Sequence, residues 1–192
     1  MFMDVVYGIL VSFIVVAKAG VEEARNSVAQ MINAEPSEIL FLSGGRLKGL
    51  VLIVGSESIN QALIGGIRAL HDDRRTIIAS CFEHPAVNET LRYIFIVILI
   101  LRFLKEEYGF TILHLQVNRY GFVDADELEK LLSSDVAMVT CMLANNEIGS
   151  LNDLDTLSTV AHNHHVLLHA DATQIAGKLP INVEQTKVDF LS

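Results

Sequence analysis

Basic residues are scarce in this chain. Lys and Arg number 14 against 23 Asp and Glu, a formal net charge of −9. No segment carries a basic stripe, which excludes a nucleic-acid-binding surface. Cysteine is scarcer still, with only Cys81 and Cys141. Neither stands at metal-ligand spacing, and two cysteines in 192 residues do not make a disulfide framework. A reduced intracellular compartment fits them better. Membrane-length apolar runs are missing too. Val5 to Val16 falls short of the roughly 20 residues that a spanning helix needs. Asp4 precedes that run and no Lys or Arg does, so the positive start of a signal peptide is absent. Ala17-Lys18-Ala19 loosely imitates a cleavage site, which keeps a signal peptide or membrane anchor open as the lesser reading.

What the chain has is apolar content, 51% of its residues, enough for one domain with a substantial core. Val21, Ala24, Val28, Met31 and Ile32 recur at helical spacing and predict an amphipathic helix over Ala17 to Asn33. Ile39 to Leu42 predicts a short strand and Ser43-Gly44-Gly45 a turn. Ile59, Leu63, Ile67 and Leu70 mark one face of a helix from Ser56 to Leu70. Strands are expected at Thr76–Cys81, Phe110–Gln116, Val136–Leu143 and Val166–Ala170. Helices are expected at Ala86–Tyr93, with Leu104–Tyr108 as continuation, at Asp124–Leu132 with Asp124 as N-cap, and at Leu154–His164. Alternating strands and helices predict an α/β fold with a mostly parallel sheet, whose functional groups collect at the carboxyl ends of strands.

Polar groups stand where that rule puts them. Glu83-His84-Pro85-Ala86-Val87 follows one strand, Met142-Leu143-Ala144-Asn145-Asn146-Glu147-Ile148-Gly149 ends another, and Asp171 and Gln174 follow a third. Taken by residue type, His84 is more often a cap or surface histidine, and Asn145-Asn146 a simple turn. Asp171 is sharper: an acid at the end of an apolar strand is costly unless a cation or hydrogen bonds meet it. Its plain alternative is an N-cap for Ala172–Gly177. His162, His164 and His165 lie near a helix end, where histidine suits the dipole, and read as solvated rather than as a metal site. Cys81 and Cys141 read as inert core thiols in apolar strands.

Together these three segments resemble the cysteine desulfurase and selenocysteine lyase family, pyridoxal-phosphate (PLP) enzymes of the class V aminotransferase group. The resemblance runs from about Ala17 to Ser192. It implies part of the large domain of a PLP-dependent fold type I enzyme. It assigns the phosphate to Ser56, at a helix start after Ser43-Gly44-Gly45; ring stacking and proton transfer to His84; a contact near the ring oxygen and substrate to Asn146; the pyridinium partner to Asp171; and the phenolic oxygen to Gln174. It implies removal of sulfur or selenium from cysteine or selenocysteine, giving alanine, by a homodimer of the cytosol or mitochondrion. In the family a Ser-Gly-His-Lys motif follows a segment like Val188-Asp189-Phe190-Leu191-Ser192 and supplies the Schiff-base lysine. That lysine and the sulfur-accepting cysteine are not among these residues, and Lys178 matches a surface Gly-Lys-Leu-Pro segment. The expectation is an inactive chain as written. A non-catalytic binding or dimerisation protein, and a membrane-associated protein using the apolar runs, are the alternatives.

Two runs interrupt the resemblance, Arg46–Gly55 and Ile94–Phe103, each ten residues long. Without them the text reads FLSGGSESINQAL and ETLRYLKEEYGF. Their Ile, Val, Leu and Phe content is what translation of a T-rich intron would give. Residues 1–16 have the same character and are expected to lie outside the family fold, leaving 17–192 as the domain. The alternative is a genuine variant with two extra buried strands.

Overall fold

A computed structural model describes residues 2–42, 54–70, 73–103 and 110–192; side chains are described from residue 17 on, except at 54–56 and 95–103. The chain divides into two compact units, residues 1–41 with 180–184, and residues 42–179 with 185–192.

In the smaller unit, α1 (Phe2–Ile32) is one helix. It contains the amphipathic segment expected from Ala17 and runs without a break across residue 16. Asn33 ends it in the left-handed region, φ 54°, a conformation that asparagine tolerates. The Ala34 amide then donates to the Ala29 carbonyl at 2.9 Å. Pro36–Glu38 forms a 3₁₀ turn closed by a capping box between Glu35 and Glu38. The strand expected at Ile39–Leu42 is absent. No neighbouring strand offers these residues a ladder among the described residues, and Leu40 and Phe41 are exposed. Instead the Arg25 guanidinium donates to the Ile39 carbonyl and lies 5.0 Å from the Phe41 ring centre.

The larger unit is a parallel α/β sheet. Its described strands, β1 (Thr76–Ser80), β2 (Thr111–Leu115), β3 (Val136–Met142), β4 (Leu167–Asp171) and β5 (Phe190–Leu191), lie in the order β2-β1-β3-β4-β5. Every pairing is parallel. β1 and β3 are buried on both faces, as expected of strands covered by helices. On one face Ile77, Ala79 and Met138 meet Ile59 and Leu63 of α2 (Val54–Ala69) and Val87, Leu91 and Ile94 of α3 (Pro85–Phe103). On the other, Ile78, Val139, Cys141 and Leu168 meet Leu128 of α4 (Ala125–Leu131) and Leu157 and Ala161 of α5 (Leu154–Asn163). Val136 joins this second face although Met138 faces the first. A register shift explains it: Thr76 pairs with Val136 but Ile77 with Met138, so Ala137 is an extra residue that reverses the alternation.

Asp124 caps α4 by accepting from the Asp126 amide at 2.9 Å, as its position predicts. Asp153 does the same for α5 through Thr156. The run Ile94–Phe103 is not an extra strand; it continues α3 in one helix from Pro85. Most of Arg46–Gly55, and Leu104–Tyr108, lie outside the described residues; Val54 and Gly55 open α2. Among the described residues no helix is long and apolar enough to cross a membrane.

Helix α2 can approach the sheet because Gly66 has no side chain. A Cβ there would stand 2.6 Å from Met138 Cε and 2.8 Å from the Phe190 ring, while one at Gly65 would meet nothing within 4 Å. Alanine raises helix propensity by roughly 1 kcal/mol at either position. At Gly66 overpacking of about 1–3 kcal/mol opposes that gain. Urea unfolding should therefore find Gly65→Ala stabilised and Gly66→Ala destabilised.

Candidate functional site at the carboxyl ends of β1, β3 and β4

Strand order reverses between β1 and β3, because β1 leads outward to β2 and the chain then returns to β3. In such sheets a crevice opens at the reversal, beyond the carboxyl ends. Glu83 and His84 leave β1 there, Asn145 and Asn146 leave β3, and Asp171 ends the next strand.

Asp171 is 4% exposed and pairs in register with Met142. Its Oδ1 accepts from the Thr173 amide at 3.0 Å and the Thr173 hydroxyl at 2.6 Å. These are the cap bonds that the plain alternative expected, although the residues after Asp171 form turns rather than a helix. They leave Oδ2 without a hydrogen bond from any described residue. A buried carboxylate with one oxygen fixed and the other open is suited to a cationic N–H.

His84 is half-buried, and its Nδ1 accepts from the Ala86 amide at 3.1 Å. The ring thus caps α3, whose first residue, Pro85, has no N–H to satisfy. An acceptor at Nδ1 places the proton of the neutral ring on Nε2. Asn146 is exposed and its side chain makes no hydrogen bond with described residues. Its neighbour Asn145 builds the loop. Asn145 Oδ1 accepts from the Glu147 and Ile148 amides at 2.9 and 3.0 Å, and its Nδ2 donates to the Phe82 carbonyl at 3.3 Å. Gln174 is half-buried, and its backbone carbonyl accepts from Lys178 Nζ at 2.7 Å. Ser56 lies in the first turn of α2, its side chain outside the described residues, as is the turn at Ser43–Gly45.

Glu83 was not singled out from the sequence, though it carries the signal that marks Asp171: an acid leaving a buried apolar strand. It is 6% exposed. Its Oε1 accepts from the Met142 amide at 2.8 Å, and its buried Oε2 has no partner among the described residues. Burial pushes its carboxyl up to about 8; the Met142 N–H opposes the shift and the charge of Asp171 adds to it. Asn152 Nδ2 holds the other end of Met142, donating to its carbonyl at 2.8 Å.

Cys81 is not a core thiol. β1 ends at Ser80 and the Cys81 side chain is exposed, whereas Cys141 is buried. His162 and His164 are paired rather than merely solvated, with Asp189 at 2.9 Å and Glu129 at 2.8 Å. His169, inside β4, bridges strands: Nδ1 meets the Thr140 hydroxyl at 2.8 Å and Nε2 the Ser192 hydroxyl at 3.0 Å. Burial lowers its pKa from 6.5 to about 4, against a smaller opposing effect of Asp171.

The chain is similar in sequence and fold to known proteins. The aminotransferase class-V family model matches residues 10–192. A cysteine desulfurase, IscS, of Dictyoglomus turgidum is 38% identical over 175 residues, covering 91% of this chain and 39% of that protein. A NifS-like protein of known structure superposes with a TM-score of 0.75 at 32% identity, over 92% of this chain and 43% of its own. SspA, solved in complex with cysteine, gives 0.73 at 27% identity, over 92% and 45%. The chain thus spans about two fifths of the length of such relatives.

His169 gives a test of the buried sheet end. An unfolded imidazole takes up a proton near 6.5, whereas the folded one stays neutral to about 4. Stability from this group is complete above 6.5 and is lost as pH falls through 4, by about 3 kcal/mol in all. NMR titration should find His169 still neutral at about pH 5, below the point where a free imidazole charges.

Proposed function

The chain belongs to the aminotransferase class-V family, and on that footing we propose that it forms the noncovalent part of a PLP site of the cysteine desulfurase and selenocysteine lyase kind. The single observation that carries the reading is Asp171, buried at a strand exit with one carboxylate oxygen open. The donor set fits PLP at its ring nitrogen, because a carboxylate in low dielectric keeps a pyridinium protonated. When bound, PLP supplies the electron sink that such chemistry requires.

In this proposal each residue has one task. Asp171 holds the proton on the ring nitrogen. His84 packs a neutral imidazole face on the ring, its orientation set by the bond to Ala86, and keeps Nε2–H free for proton transfer. Gln174 donates to the phenolic oxygen. Asn146 reaches the ring oxygen and the substrate, and the Asn145 bonds fix the loop that presents it. Ser56, in the first turn of α2, receives the phosphate, where free amides and the helix dipole favour an anion. The whole protein would take cysteine or selenocysteine to alanine as a homodimer. The lysine that holds the cofactor covalently, and the cysteine that accepts sulfur, are not supplied by these 192 residues. These residues are therefore proposed to supply only the noncovalent contacts to PLP.

Residues 46–55 and 94–103 are also proposed to be translated intron sequence interrupting the family frame. What supports this is the family-like text that remains when they are removed. Transcripts sequenced across Gly45/Ser56 and Tyr93/Leu104 should lack both runs, and transcripts carrying both would contradict the proposal.

PLP titration followed by ring absorbance tests the site. Asp171→Asn should weaken binding on the order of 10²-fold, the cost of removing one partner from a buried charge pair. Borohydride should trap no lysine-linked adduct; equal affinity in wild type and Asp171→Asn would sink the assignment.

A further inference from the structure

Glu83 has no contact in the cofactor scheme, yet it ties the exits of β1 and β3 together where the strand order reverses. It leaves β1 one residue before His84 and bonds the Met142 amide at the end of β3. Met142 is in turn the register partner of Asp171. The groups around this carboxyl come from each neighbouring element. β4 contributes Asp171; β3 contributes the Met142 amide and the Cys141 thiol, itself raised by burial and by Glu83. On the α3 side stand His84, adjacent in the chain, and Asn88, whose Nδ2 donates to the Glu83 carbonyl at 3.3 Å. No Lys or Arg among the described residues pairs with it.

An ionised Glu83 would be a second buried anion beside Asp171, with an orphan oxygen and no cation. A buried charge in that condition is strongly disfavoured. A protonated carboxyl removes the conflict: one oxygen still accepts from Met142, and the site keeps one negative charge for one pyridinium.

We propose that Glu83 is a positioning residue that works as a neutral carboxylic acid, tying the His84 corner to the β3–β4 pair and leaving Asp171 the single anion facing the cofactor. This rests on the assignment of Asp171 to the pyridinium. The folded pKa of about 8 against 4.5 agrees with it. The folded chain then holds a proton that the unfolded chain releases between those values. Stability from Glu83 is complete below 4.5 and is lost as pH rises through 8. His169 acts in the opposite direction only below 6.5, so the window from 6.5 to 8 reports Glu83 alone of these two.

The test compares wild type, Glu83→Gln and Glu83→Ala in two measurements. In urea unfolding without cofactor, the wild-type unfolding constant should rise by up to about tenfold per pH unit between pH 6.5 and 8. Glu83→Gln, neutral throughout, should lose that slope, and an unchanged slope would overturn the proposal. In PLP titration at neutral pH, Glu83→Ala should bind at least about tenfold more weakly. Glu83→Gln, which restores an acceptor for the Met142 amide, should recover most of that loss. No recovery would overturn the positioning role, and so would failure of wild type to bind PLP, which also ends the functional reading. Because the pH slope needs no cofactor, it judges the charge of Glu83 separately. It also stands if Glu83→Ala fails to fold.

Discussion

One hydrogen bond organises this end of the molecule, the donation from the Met142 amide to Glu83. It crosses the point where the strand order reverses, the natural place for a crevice to splay open. Met142 is held from both sides, by Glu83 at its amide and by Asn152 at its carbonyl. Its register partner is Asp171. Asn145 adds the tie from the β3 exit back to Phe82. The corner that carries His84, the loop that carries Asn146 and the strand that ends in Asp171 therefore share one framework. Side chains held by buried backbone contacts of this kind keep their geometry better than side chains on free loops.

Electrostatics sorts the groups within that framework. Glu83, His169 and Asp171 are all nearly excluded from water. His169 sits between two hydroxyls, which satisfy both ring nitrogens without a charge. Asp171 keeps an oxygen fixed by Thr173. Burial opposes charge on both His169 and Glu83, by opposite shifts, because the charged form is the protonated one in histidine and the deprotonated one in glutamate. An open oxygen on a buried carboxylate such as that of Asp171 is suited to a cationic N–H donor.

Much of this was legible in the residues. Buried parallel strands read as continuous apolar runs, which is why Thr76–Ser80, Val136–Met142 and Leu167–Asp171 emerged close to their expected places. The cap at Asp124 is local, so its neighbours suffice to form it. Failures came where a distant partner decides. Ile39–Leu42 has strand composition but no strand to pair with among the described residues. Ile94–Phe103 has the β-branched composition behind the alternative of extra strands, yet it extends a helix already begun at Pro85. Cys81 fell outside the core because its strand ended one residue early. Asn145 and Asn146 are equal in sequence; only the loop geometry gives one the structural bonds and leaves the other exposed. Glu83 went unnoticed because its partner, an amide of residue 142, is invisible until β1 and β3 are paired.

The central claim is that Asp171 holds a protonated pyridine nitrogen. Nitrogen-15 NMR of ring-labelled PLP bound to the 192-residue chain reads that proton directly. The account predicts a pyridinium signal in wild type that moves to the neutral-pyridine position in Asp171→Asn. A neutral ring nitrogen in the wild-type complex would contradict it.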